Sequence, residues 1–251
     1  MLQLIYCLQL GRRSFVEYDH FRELYETSEH GIVTLSGLMH RTVDLIAEFQ
    51  EHINIGGGIG EASLYPYLRR MYDLEGGLLA WAASLPQQVT RRETVDVLVG
   101  QPTYLRNLIM MPGAPEYFTV YGDLPVIYGW NLYRALRIAL HTAILRSTQA
   151  EIDSGSMLAS EEESLWTIRN EFDELCSSVY SLFMVPVTGR TETSETESLI
   201  GLRQVFALLP LRVATHFLQT LPTNPVSTER WSWVQHVVLF LFRMNHMDRS
   251  G

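Results

Sequence analysis

Apolar residues recur at three- and four-residue intervals over most of the chain, and strict apolar–polar alternation is rare. The first pattern marks helices with one buried face. The second would mark half-buried strands, which also call for tight Asn-Gly or Asp-Gly turns, and neither dipeptide occurs. The periodicity predicts helices at roughly 2–10, 14–28, 33–53, 62–84, 124–149, 160–184, 195–219 and 227–246. The expected fold class is all-α: an irregular bundle of about eight helices around the apolar helix at 124–149, in a single domain spanning 1–251.

Breakers and caps fall between these segments. Gly56-Gly57-Gly58-Ile59-Gly60 cannot sustain a helix and predicts a loop. Pro86 closes the helix carrying Trp81, and Pro222 and Pro225 separate the last two helices. Ser160, with Glu163 three residues on, has the form of a capping box, and Ser227 or Thr228 is placed to cap the last helix. Residues 86–123, with Pro102, Pro112, Gly113, Pro115 and Gly122, form the least regular stretch; Tyr104, Tyr117, Phe118 and Tyr121 are expected to pin it to the helices. A second loop, polar, is expected at 186–198.

Composition narrows the chemistry. With 251 residues, 47% of them hydrophobic and 19% charged, the chain can bury a large core. Its net charge of −9, and basic residues that come in pairs at most, leave no stripe to neutralise phosphates, so nucleic acid is not an expected partner. All 19 basic residues are arginine, which excludes Schiff-base, pyridoxal-phosphate and phosphate-loop lysines. Two distant cysteines, Cys7 and Cys176, cannot build a zinc cluster or a disulfide scaffold, so the expectation is an intracellular protein, nuclear or cytoplasmic, with no metal and no cofactor. The apolar start, residues 1–10, lacks the basic flank and cleavage site of a signal peptide. No uncharged apolar run reaches the ~20 residues of a membrane span, and the candidate from Val234 to Phe242 is about half that length.

The helix at 124–149 is apolar over most of its circumference, but Asn131, Arg134, Arg137 and His141 gather on about a third of it, with Trp130 among them. Two readings follow. The stripe is either a polar network holding the bundle, with Glu171, Asp173 and Glu174 as partners, or the polar wall of an otherwise apolar ligand cavity. Trp130, Asn131, Arg134, Arg137 and His141 are therefore the candidate ligand-binding residues; no catalytic residue is assigned.

The block Trp130-Asn131-Leu132-Tyr133-Arg134-Ala135-Leu136-Arg137-Ile138-Ala139-Leu140-His141 resembles the W-N-x-Y-R-A-x-R-I-x-L-H segment of the fungal-specific transcription factor domain, the regulatory half of fungal zinc-cluster regulators. Leu79-Ala80-Trp81-Ala82-Ala83-Ser84-Leu85-Pro86 is similar to the L-x-x-W-x-x-x-L-P element before it, with one residue fewer between Leu79 and Trp81. Leu208-Leu209-Pro210-Leu211-Arg212-Val213-Ala214 is similar to the later L-x-P-L-x-V-A element, so the likeness covers residues 35–246 in order. Residues 243–248 depart from the family's glycine-containing M-G-I-x-x-A segment, and this sequence holds neither the six-cysteine cluster nor its basic linker. What the resemblance implies is an all-helical fold with a regulatory role, acting by small-molecule binding or protein association, without DNA binding of its own. The partners it allows are an apolar small molecule and a second copy of the chain. The alternative is a metal-free enzyme of fungal secondary metabolism, a cyclase or isomerase, reusing the helical cavity.

Other constellations point to solvated or packed faces. His40, Asp44, Glu48 and His52 recur every four residues but drift around their helix, so they read as a polar stripe rather than one ion's ligands. Residues 17–30 read as an acidic helix face. Gly56–Gly60 follows no strand and is no dinucleotide fingerprint. His216 and His236 read as core histidines on apolar helices, with an acid or base lining a cavity as the other reading. Trp231, Trp233, Phe240, Phe242, Met244 and Met247 read as core packing, or as an interface.

Overall fold

A computed structural model describes Cys7 and residues 31–55, 64–85, 91–94, 103–121, 124–151, 158–184 and 195–247. Among them are seven helices: α1 (Gly31–Ile55), α2 (Tyr65–Ser84), α3 (Thr103–Ile109), α4 (Leu124–Glu151), α5 (Leu158–Met184), α6 (Glu195–Gln219) and α7 (Thr228–Met247). The all-α expectation is met. The helices expected at 2–10 and 14–28, the glycine loop at 56–60 and most of the loop at 186–198 lie outside the described residues.

The stretch 86–123, expected to be irregular, holds α3 and two short strands, β1 (Arg91–Thr94) and β2 (Tyr117–Val120). They pair antiparallel, from Arg91 opposite Val120 to Thr94 opposite Tyr117. Alternation over four residues is too brief to announce a strand, and a long connection rather than a tight turn joins the pair. Phe118 and Tyr121 are buried as expected, while the Tyr104 side chain lies outside the described ones.

Chain contacts divide the molecule into two compact units. The first comprises Met1–Pro86, Leu136–Ile168 and Val213–Thr223; the second comprises Gln87–Ala135, Arg169–Arg212 and Asn224–Gly251.

In the first unit α1 and α2 run antiparallel. Leu38 lies opposite Gly77, where an added Cβ would come within 2.9 Å of the Leu38 methyl; Arg70 meets Glu48 at 2.6 Å, and Phe49 packs on Tyr67. Pro66 stands in the first turn of α2, where its missing N–H is no loss, and Leu85, extended before Pro86, ends the helix. The buried face of α2 carries Leu68, Met71, Leu74, Leu78 and Trp81, and one charged residue, Glu75. Cys7 is buried in this unit.

The second unit packs around aromatic rings. Phe118 of β2 meets Tyr180 edge-on, Tyr180 meets Trp233 edge-on at 5.8 Å, and the Trp233 indole N–H donates to the Leu108 carbonyl. Ser227 caps α7 by accepting from the Arg230 amide, as the sequence suggested. Arg230 also donates to Asp173 and to the Gly113 carbonyl. Gly113 has φ +79°, and a Cβ there would strike the Glu229 backbone. Cys176 lies wholly buried, and burial pushes its thiol pKa well up. No described helix is long and apolar enough to cross a membrane.

Candidate functional site

The stripe on α4 sits inside the protein: Asn131, Arg134 and His141 are buried, and the Arg137 side chain is 13% exposed. Trp130, Asn131 and Arg134 belong to the second unit, Arg137 and His141 to the first, and each set has its own surroundings.

In the second unit the Arg134 guanidinium lies 5.7 Å from the Trp130 ring centre and 5.8 Å from that of Tyr121, within cation–π range of both. Trp130 meets Tyr133 edge-on. Two carboxylates on α5 face the guanidinium at arm's length, Glu171 at 4.0 Å and Glu174 at 3.6 Å. Both are ion-pair distances beyond a hydrogen bond. Arg134 Nη1 donates to Asn131 Oδ1 at 3.3 Å. Tyr117 and Thr119 of β2 donate long hydrogen bonds to Glu174, at 3.4 and 3.5 Å. The Asn131 amide nitrogen is buried without a hydrogen-bond partner. Glu171 and Glu174 thus face Arg134 as expected, but Asp173 pairs with Arg230 instead.

The first unit supplies a group the sequence reading missed. Arg137 pairs with Glu75 of α2, which did not figure among the expected partners: Nε and Nη2 both donate to Oε1, at 2.8 and 2.5 Å. Glu75 Oε2 is buried without a partner. His141, one turn along α4, brings Nε2 to 3.3 Å from Glu75 Oε1 without the alignment of a hydrogen bond, and its Nδ1 lies 3.1 Å from the Ser164 hydroxyl on α5. Burial pushes the Glu75 carboxyl up, but the adjoining His141 and Arg137 outweigh it and hold its pKa below the ordinary 4.5. A signal for Glu75 was present: a lone carboxylate between Leu74 and Leu78 on an apolar helix face needs a buried cation.

The other constellations separate. His40 is buried; Glu48 pairs with Arg70, and the His52 ring lies 5.2 Å from that of Tyr67. His236, read as a core histidine, is exposed, with Nδ1 against the Ser232 carbonyl, because it follows the polar side of α7. Trp233 is fully buried and Trp231 stacks on Phe172; the side chains of Phe242, Met244 and Met247 lie outside the described ones. Two open surface clefts have volumes of about 260 and 280 Å³. One is lined by Arg41, Asp44, Glu48, Arg70 and Asp73, the other by Arg169, Asp173, Ser227 and Arg230, and neither reaches the α4 stripe. No protein-family model, curated protein or solved structure matches the chain.

Proposed function

We propose that this chain is a regulatory module of the fungal transcription-factor-domain kind that acts by binding a small, largely apolar molecule through the polar residues of α4. One observation carries the reading: in the first unit α4 buries His141 beside Glu75 of α2, yet His141 Nε2 and Glu75 Oε2 have no hydrogen-bond partner. A buried polar group left unsatisfied costs about 1–3 kcal/mol, so a purely structural network would be expected to close on itself. A ligand bringing matching groups recovers that energy on binding, and a few convergent polar atoms in an apolar shell are the usual lining of small-molecule sites. The module works inside the cell, in nucleus or cytoplasm, with a second copy of the chain as its protein partner. Its net charge of −9 argues against a DNA surface of its own.

A second reading, a metal-free cyclase or isomerase of fungal secondary metabolism, draws on one specific arrangement. His141 stands between the Ser164 hydroxyl and the Glu75 carboxylate, within reach of both, as a general acid–base group would. The test is a melting-temperature screen of the full chain against apolar metabolites, repeated with His141→Ala and Asn131→Ala. Ligand-dependent stabilisation of wild type that is lost in folded variants supports binding. Turnover of the stabilising compound moves the reading to the enzyme. Stabilisation that persists unchanged in both variants sinks the site.

A further inference from the structure

We infer that Glu75 and His141 form a receptor for the hydroxyl group of an alcohol on an apolar skeleton, the hydroxyl donating to Glu75 Oε2 and accepting from His141 Nε2; the inference rests on the ligand-binding reading above. A guanidinium that met the carboxylate fork to fork would satisfy both oxygens. Here both Arg137 donors go to Oε1, at 2.8 and 2.5 Å, and Oε2 is left as an unpartnered acceptor on a side chain that is only 10% exposed. The arrangement holds the carboxylate still while leaving one oxygen to take a donor.

His141 supplies the second contact. Its Nδ1 lies 3.1 Å from Ser164 Oγ. When the serine donates there, the ring proton sits on Nε2, which has no hydrogen-bond partner and lies beside the same carboxylate, 3.3 Å from Oε1. The pair therefore presents one acceptor and one donor side by side. A single oxygen that takes a proton from Nε2 and gives one to Oε2 can bridge atoms up to about 5.7 Å apart, a span that fits two groups already in van der Waals range.

Elimination narrows the ligand group. A carboxylate would face Glu75 charge to charge, and an ammonium would sit close to Arg137, whose own charge is already paired with Glu75. An ether or ketone has no proton for Oε2. A hydroxyl both donates and accepts, and is neutral. The skeleton is matched to apolar neighbours in the chain: Met71, Leu74 and Leu78 share the buried face of α2 with Glu75, and Ile138 and Leu140 are buried on α4. One turn before Ser164 on α5, Ser160 meets the exposed Tyr72 hydroxyl at 2.8 Å.

The experiment uses the full chain, ring-¹⁵N-labelled at histidine, titrated with cyclohexanol and with methoxycyclohexane, which differ in the hydroxyl proton. Cyclohexanol should move the His141 ring resonances, identified by their loss in His141→Gln, and the ether should bind at least about tenfold more weakly, the effect of losing a hydrogen bond to a buried carboxylate. Glu75→Gln should weaken cyclohexanol by a similar factor. Should that variant fail to fold, the wild-type contrast between alcohol and ether still decides. Equal binding of ether and alcohol, full binding by folded Glu75→Gln, or a His141 ring unmoved because water is the only occupant, would each overturn the inference. If cyclohexanol is silent while other apolar compounds still raise the melting temperature through α4, the inference falls alone. If compounds of every class are silent, the ligand-binding reading falls with it.

Discussion

Replacing Arg137 with alanine is the sharpest probe of the first unit. The substitution removes the two guanidinium donors to Glu75 Oε1, at 2.8 and 2.5 Å, and leaves a carboxylate 10% exposed with His141 Nε2 at 3.3 Å, poorly aligned. Stranding one member of a buried ion pair typically destabilises by about 3–5 kcal/mol, because the remaining charge keeps its desolvation penalty and loses its compensation. Against a total of about 5–15 kcal/mol for an ordinary domain, Arg137→Ala should lower the stability by a fifth or more. Urea unfolding followed by the helical circular-dichroism signal measures this directly, provided the slopes of wild type and variant agree. Removing both partners, in Arg137→Ala with Glu75→Ala, should restore part of the loss, with a coupling energy of about 1–3 kcal/mol. The acid dependence gives an independent check. The Glu75 pKa is held below 4.5 in the folded protein, so its contribution is complete above pH 4.5 and disappears as the pH falls through the folded-state value. In Arg137→Ala that acid loss should shrink, because a main cause of the depression is gone. A loss below about 1 kcal/mol together with an unchanged acid limb would refute the buried-pair argument.

Two further outcomes follow from other sites. Gly113→Ala must place a side chain at φ +79° and against the Glu229 backbone, so it should destabilise by about 3 kcal/mol or more; a thermal midpoint within a degree or two of wild type would show that the α7 start is not seated there. His40 and His216 are both held below 6.5 by burial, with Asp44 opposing the shift at His40. The unfolded chain therefore takes up protons first, and stability should fall as the pH drops below about 6.5. Urea midpoints at pH 7.5 and 5.5 test the sign, His216→Gln should narrow the difference, and a midpoint that rises on acidification would refute it.

Long periodic helices were legible in the sequence because each buries a stripe whose spacing repeats for several turns. The expected 124–149, 195–219 and 227–246 meet α4, α6 and α7 to within two residues at each end. Shorter features were not. Ser160, taken for a cap, lies inside α5, which starts at Leu158, and its hydroxyl bonds Tyr72 across 88 residues of sequence. Periodicity says which face of a helix turns inward but not which helix it meets, so Glu171, Asp173 and Glu174 stand out as partners for the stripe by proximity in sequence while Glu75 does not. The stripe on α4 was visible as a stripe. That its residues fall to two different units was not, since a continuous helix carries no mark where its neighbours change.

The burial of the two thiols gives each compact unit its own clock. Cys7 is enclosed in the first and Cys176 in the second, and a thiol shut away from water cannot be alkylated until the surrounding chain opens. With reagent in excess, the labelling rate of each cysteine reports the opening free energy of its own unit. Mass spectrometry of the two cysteine peptides over time would then separate one cooperative transition, in which both thiols label at a common rate, from two, in which the less stable unit surrenders its thiol first.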